Sequence, residues 1–472
     1  MEFIKNAHIE IHSDIKDDEF QLFENPDEKF GIIQIYTEKM NIETIPIVIF
    51  FSIDNSGSMS DRCSDGRSKM QHATHTIKNM IILFEKYSQE HGADIHLYLN
   101  TFNNKVKNIF DVTKITKDNV NDLVDSVEKI NPEHTTNIEL SLTETIKRIE
   151  LYKSISENNN NKIIHINMTD GEATIGITDP LQLSKLVSEE YINIFLGFGI
   201  EHDSMMLSKL SDNLRSEYRF IDKLENSGLV YGEIVHNILY SSINEVHITI
   251  ENGLIYNWKT NEWMDKIYIS QLHGNSNKIY HIKTCTPDTV VVHMNGIKSE
   301  ESFKYDIELL PNLLNNDGSI INQNLMQYIF RQKTQELLFK VVKVKSKHSR
   351  INYNYDNGLK SELYNLLTRM QEFMNDDNRQ FMKLLCDDVY IAHKTFDSKY
   401  AEMYSRARQT SQGSQCAYNV SDLSDMEKTM VYEGCCGDDD EDNDTLVYNM
   451  SQCIDTPYIS NDVLNMMKDM SM

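Results

Sequence analysis

Long apolar runs are missing from this chain. No stretch approaches the roughly 20 residues that a membrane-crossing helix needs, and Met1-Glu2-Phe3-Ile4-Lys5 opens a mixed segment without the apolar region of a secretory signal. Cysteine is scarce and scattered, with 7 in 472 residues, at 63, 285, 386, 416, 435, 436 and 453. None forms a C-x-x-C pair, which removes zinc-finger chemistry and fits free thiols in a reducing, intracellular compartment. Basic charge is also short. The 46 Lys and Arg stand against 72 Asp and Glu, for a formal net charge of −26. Bulk charge therefore argues against nucleic acid or an anionic membrane as a partner. Part of the excess sits in one run, Asp438-Asp439-Asp440-Glu441-Asp442.

What is present is enough apolar residue (40%) for a sizeable core, at a length that allows two or three domains. Asn, Ile and Lys are heavily used, as in AT-rich genomes such as those of large DNA viruses or some protists. A cytoplasmic location, or a host cytoplasm or virion if viral, is the matching expectation.

The most informative stretch runs from Ile47 to Ser58. Ile47-Val48-Ile49-Phe50-Phe51 is an unbroken apolar run, as expected of a strand buried on both faces of a parallel sheet. It ends in Asp54, Ser56 and Ser58 at alternate positions, with Gly57 relaxing the backbone between the hydroxyls. Oxygen donors alone suit a hard cation. The plainer reading is an Asx or Ser turn that caps the next helix.

Around it, strands and helices alternate. Met70, Ala73, Ile77, Met80, Ile81 and Phe84 recur at helical spacing, and His72 and His75 on that helix read as surface or interface residues, not ligands. Residues 93–102 return as a strand, and 120–127 as a short helix. Thr136 or Asn137 then precedes a helix carrying Ile138, Leu142, Ile146 and Ile149, and either could be its cap. A second apolar strand, Lys162 to Thr169, ends in Asp170-Gly171. Helices at 180–190, 203–213 and 228–243 alternate with strands at 191–199 and 218–221. Such alternation predicts a doubly wound, mostly parallel sheet with helices on both faces and all strand C-termini on one rim.

The segments Asp54-Asn55-Ser56-Gly57-Ser58, Thr136-Asn137-Ile138 and Thr169-Asp170-Gly171 together resemble the metal-ion-dependent adhesion site of von Willebrand factor A (VWA) domains. His134 and Thr135 stand where the family usually has two glycines. The resemblance covers about 43–243. It implies an α/β, Rossmann-like fold and a metal site of Asp54, Ser56, Ser58, Thr136 and Asp170. The ion would be Mg²⁺, or Mn²⁺ or Ca²⁺, bridging to an Asp or Glu of a protein partner. Catalysis is not expected. Ser56 replaces the second Asp that haloacid-dehalogenase-type phosphatases need, and no G-x-S-x-G or G-x-x-x-x-G-K-[ST] motif is present. A structural or assembly protein, whose metal only stabilises loops, is the alternative; a metal-dependent hydrolase is a third.

Beyond 243 the pattern becomes alternating, with turns at Asn252-Gly253, Gly274-Asn275 and Asn295-Gly296. We expect N-terminal strands over 1–42 that pack on a small antiparallel β-sandwich at 244–310, with Trp258 and Trp263 in its core or at its seam with the 43–243 domain. A helical region follows over 311–408, with helices at about 319–345, 358–375 and 378–406. From 409 to 472 an acidic, largely disordered tail is expected, in which Val463, Leu464, Met466 and Met467 suggest a short docking helix. The layout resembles the Vwaint-type region of VWA–intein-like proteins.

Overall fold

The computed structural model describes residues 3–11, 25–63, 65–133, 135–155, 160–199, 202–221, 227–240, 242–298, 301–310, 325–346, 353–416, 418–419, 454–455 and 458. The chain divides into two compact units, one of residues 1–39 and 243–460 and one of 40–242 and 461–472. In chain order the first unit begins with β1 (Ile4–Ile11) and β2 (Lys29–Thr37). The second unit then follows: β3 (Ile47–Asp54), α1 (Lys69–His91), β4 (Ile95–Phe102), β5 (Val106–Lys114), α2 (Val120–Glu128), α3 (Ile138–Lys153), β6 (Lys162–Thr169), α4 (Pro180–Ser184), β7 (Ile192–Phe198), α5 (Ser204–Leu210), β8 (Ser216–Ile221) and α6 (Ser227–Leu239).

The second unit is built on a six-stranded sheet in the order β5-β4-β3-β6-β7-β8. Its pairs are parallel except β4 with β5, which are antiparallel. The apolar run Ile47–Phe51 lies in the central strand β3, all of whose residues are buried. Val48 and Phe50 pack toward α3, and the Phe50 ring meets Tyr98 of β4 at 5.3 Å and Tyr152 of α3 at 6.0 Å. Ser52, two residues on and so on the same face, bonds Thr145 of α3 at 2.9 Å. α1 begins in a capping box between Ser68 and Gln71, and ends at Gly92, whose φ of 70° suits a residue without a Cβ. His72 is buried against Asp65 at 3.1 Å instead of lying at the surface, whereas His75 is exposed.

The rim end of β7 is closed by His202. Its Nδ1–H donates to Gly199 O and its Nε2 accepts from the Tyr218 hydroxyl, each at 2.5 Å. A Cβ on Gly197 would stand 2.4 Å from His202 Cδ2 and 2.6 Å from Nε2. Gly197→Ala is therefore expected to destabilise the unit by about 1–3 kcal/mol through overpacking, read as a lower urea midpoint. An unchanged midpoint would mean that the imidazole yields freely.

The first unit continues with β9 (Ser242–Glu251), β10 (Leu254–Asn257), β11 (Glu262–Met264), β12 (Lys266–His273), β13 (Asn277–Thr284), β14 (Val291–Lys298) and β15 (Glu301–Leu309). These strands and the two N-terminal ones form a single mixed sheet of nine, in the order β11-β10-β13-β2-β1-β15-β14-β9-β12. The strands expected as a small sandwich are thus one hydrogen-bonded sheet, with β1 and β2 inside it: β2 pairs with β13 over Lys29–Tyr36, and β1 pairs parallel to β15.

Helices α7 (Leu325–Lys345), α8 (Tyr353–Phe373), α9 (Arg379–Lys394) and α10 (Ala401–Ser414) follow. The helix expected over 378–406 is two helices. Between them, the Thr395 hydroxyl donates to Ile391 O at 2.8 Å and the Ser398 hydroxyl donates to Thr395 O at 2.7 Å, so side-chain hydroxyls compete with the main chain for carbonyls at the break. The expected tail also starts too early. Its first polar residues are helical and buried, because their amides are satisfied: Gln412 Nε2 donates to Asp388 Oδ2 at 2.6 Å, and Gln415 Oε1 accepts from Ile279 N at 2.8 Å. Trp258 meets α10, where a Cβ on Gly413 would collide with the indole at 2.0 Å. The acidic run and Val463–Met467 lie outside the described residues. Among the described residues no helix is long and apolar enough to cross a membrane.

Candidate metal centre

Three loops at the C-terminal rim of the six-stranded sheet bring the expected residues together. β3 delivers Asp54, which is fully buried. Its Oδ1 accepts from Ser56 N at 2.8 Å, turning the chain away from the strand. The curl is completed by a single 3-10 turn, Gly57–Ser60, in which Gly57 keeps an ordinary negative φ. Glycine is thus not used here for a left-handed conformation. The turn sets Ser56 Oγ 3.1 Å from Ser58 Oγ, and Ser58 Oγ donates to Asp170 Oδ1 at 2.8 Å.

The Ser58–Asp170 bond spans 112 positions of sequence and ties the β3 loop to the end of β6. A second tie crosses beside it, where Thr169 Oγ1 donates to Asp54 Oδ2 at 2.6 Å. The third loop supplies Thr136. Asn137, not Thr136, caps α3, its side chain accepting from Leu140 N. That leaves the buried Thr136 hydroxyl available. The Thr136 main chain is held by residues 174 and 175, whose N–H groups reach its carbonyl at 3.0 and 3.2 Å. A Cβ on Gly171 would lie 3.7 Å from Ser58 Oγ and 3.8 Å from Thr136 Oγ1, so both hydroxyls flank that point. Thr135 is exposed, and His134 lies outside the described residues.

The charge balance is uneven. Burial, with the Asp170 charge adding to it, pushes the Asp54 carboxyl up to about 6, against the lowering pull of its bonds from Thr169 and Ser56. Asp170 has a protein counter-ion, because Lys69 Nζ lies 2.8 Å from its Oδ2 and 3.6 Å from Asp61 Oδ2. Among the described residues no group of three or more His, Cys, Asp or Glu is placed to hold a metal. A metal reading therefore rests on two carboxylates and three hydroxyls. That donor set fits a hard divalent ion and not a soft one, and the buried, poorly compensated Asp54 is the group such an ion would relieve.

Two contributors were not legible as site residues. Thr169 reads from the sequence only as the strand end that precedes Asp170. Lys69 carried one available signal: a cation in the first turn of a helix is opposed by the helix dipole, so its presence hints at a carboxylate partner nearby.

Residues 49–231 match the von Willebrand factor type A domain, and the chain contains a domain of that family. The chain is 26% identical over 206 residues to inter-alpha-trypsin inhibitor heavy chain H2 of Mesocricetus auratus, and 27% identical over the same length to that of Sus scrofa. Each alignment takes in 40% of this chain and 20% of the relative, so the chain spans about a fifth of the curated relatives' length. In fold the chain is similar to a von Willebrand factor type A protein from Catenulispora acidiphila (TM-score 0.52, 11% identity, 87% of this chain and 97% of that one).

Proposed function

We propose that the second unit is a metal-dependent protein-binding module, in which a divalent ion held by Asp54, Ser56, Ser58, Thr136 and Asp170 bridges to a carboxylate of a partner protein. Domains of this family mediate protein–protein interaction in homologous proteins. The observation that carries the reading is the convergence of oxygen donors from three separate loops around a buried carboxylate that, among the described residues, has no cation of its own.

Charge counting supports the direction of recognition. Asp54, Asp170 and Lys69 sum to about −1, and the solvated Asp61 beside Lys69 adds about −1 more, so a divalent ion would leave the site between about 0 and +1, with no excess negative charge to repel an anion. Mg²⁺, Mn²⁺ or Ca²⁺ would supply a polarising charge with room in its shell for an outside oxygen. The chain's own residues do the rest. Thr169 and Ser56 N–H orient Asp54, Ser58 couples Asp170 to the β3 loop, and Lys69 pairs with Asp170 at 2.8 Å.

The test is affinity purification of wild type, Asp54→Ala and Asp170→Ala, with Mg²⁺ or EDTA. Partners retained by wild type in Mg²⁺ are expected to be lost in the variants and in EDTA, while circular dichroism shows the fold intact. Identical partner sets in all conditions would refute the reading. Stabilisation by Mg²⁺ with no change in partners would favour a structural role for the ion.

A further inference from the structure

Beside the candidate metal centre lies a polar cavity of about 200 Å³. It opens between the loop after β3, the β4–β5 turn and the segment after α2, and Asn55, Thr101, Lys105, Lys107, Lys129 and Glu133 are among its walls. In a chain with 72 acidic and 46 basic residues, three lysines around one small cavity run against the overall charge. All three are exposed, and among the described residues none is in an ion pair. Glu133 is the one carboxylate in the lining.

The floor supplies an independent observation. Asn55 is only 8% exposed, and its backbone is fixed by Asn55 N to Phe102 O at 2.9 Å and Glu133 N to Asn55 O at 2.6 Å. Its Nδ2 donates to Asn131 O at 3.2 Å, but its Oδ1 has no hydrogen-bond partner among the described residues. A buried acceptor without a donor is costly, and Asn55 is among the residues that line the cavity. The cavity therefore asks for a ligand that presents an N–H or O–H donor together with negative charge. An acidic residue of a polypeptide presents both: a backbone N–H for Asn55 Oδ1 and a carboxylate for the lysines.

Position joins this cavity to the metal centre, because Asn55 stands between Asp54 and Ser56. We propose that the cavity is a second recognition subsite, which seats another acidic side chain of the same protein partner, so that the partner is recognised by a pair of carboxylates. The pairing rests on the metal-dependent reading above; the subsite itself does not. The metal centre would take one carboxylate through an ion, and the cavity the other through ammonium groups and one amide oxygen. Lysines at such a rim add both affinity and steering.

The test uses a fluorescein-labelled, C-terminally amidated hexa-aspartate peptide and fluorescence anisotropy, in Mg²⁺ and in EDTA, at constant ionic strength. Wild type is compared with Lys105→Ala/Lys107→Ala/Lys129→Ala, with Asp54→Ala, and with Lys304→Ala/Lys340→Ala/Lys360→Ala as a control that removes equal charge from the first unit. The cavity triple variant is expected to bind at least fivefold more weakly than the control in Mg²⁺, and to remain weaker than the control in EDTA. Equal affinity of the two triple variants, or no binding to wild type at about 1 mM protein, roughly a thousandfold above micromolar recognition, would overturn the proposal. So would displacement of the peptide by inorganic phosphate as effective as displacement by free aspartate, since that assigns the cavity to a phosphorylated ligand. If EDTA and Asp54→Ala leave binding unchanged while the cavity variant still loses it, the metal reading fails and the lysine subsite stands.

Discussion

Replacing Asp54 by asparagine is expected to raise the melting temperature of the metal-free protein and to abolish the stabilisation that Mg²⁺ gives the wild type. The Asp54 carboxyl is pushed up to about 6 by burial and by Asp170, from an ordinary 3.8. A shift of about two units corresponds to about 3 kcal/mol held against the folded, metal-free state at pH 7.5. Asparagine removes the charge and keeps the geometry. Its Oδ1 still accepts from Ser56 N, and the Thr169 hydroxyl can turn to accept from Nδ2. A net gain of about 1–3 kcal/mol, some 3–10 °C for a unit of this size, is the expected outcome. Wild type with Mg²⁺ at a hundred times its dissociation constant should gain about 2.7 kcal/mol, which the variant, lacking the buried anion, does not. Differential scanning calorimetry in EDTA and in Mg²⁺ checks both halves. A variant that melts below wild type in EDTA would show that Asp54 is stabilised by contacts other than a cation, and the case for an ion would lose its physical basis.

How much of this was readable in advance depended on whether a feature is local. β3 and β6 were plain, because a strand buried on both faces writes itself as a continuous apolar run, and Asp54 and Asp170 mark where each run stops. The convergence of Thr136 with them followed from the handedness of the crossovers. The antiparallel edge strand β5 was not legible. Val106–Lys114 is half exposed along its length, and its mixed residues carry no strict alternation. Nor was the place of β1 and β2 in the nine-stranded sheet, since the pairing of Gln34 with Ile279 joins positions 245 residues apart and leaves no local trace. Glutamines of α10 read as tail because composition does not show that an amide buried at 412 has Asp388 waiting for it. Lys69 was passed over for the same reason: the carboxylate that explains it lies 101 residues away.

Acidification from pH 7 to pH 5 is expected to destabilise the second unit through two buried histidines. His165 Nδ1 lies 3.2 Å from Asn193 Oδ1. The Asn193 Nδ2 is spent on Ser188 O and Tyr191 O, so Oδ1 is the atom that faces the ring and the imidazole must donate through Nδ1. Its Nε2 is buried with no partner among the described residues, so a second proton there has no acceptor. Burial lowers its pKa to about 4. His202 is likewise lowered to about 4, by burial first and by the Lys69 charge as well, and protonating its Nε2 would break the bond from the Tyr218 hydroxyl. The unfolded chain takes up protons near 6.5, whereas the folded one resists until about 4. Stability is therefore full above pH 6.5 and is lost as the pH falls toward 4. Between pH 7 and 5 each histidine removes about 2 kcal/mol. Asp54 acts in the opposite sense in the metal-free wild type, because a raised carboxyl gains stability as the pH falls through 6. The measurement therefore belongs in the Asp54→Asn protein, where that offset is gone. Urea midpoints at pH 7 and 5 should differ by about 4 kcal/mol from these two groups. His165→Gln and His202→Gln should each cut the difference by about half, whatever they do to stability at pH 7. A difference that neither substitution changes would place the acid sensitivity elsewhere and show that both rings are protonated as readily folded as unfolded.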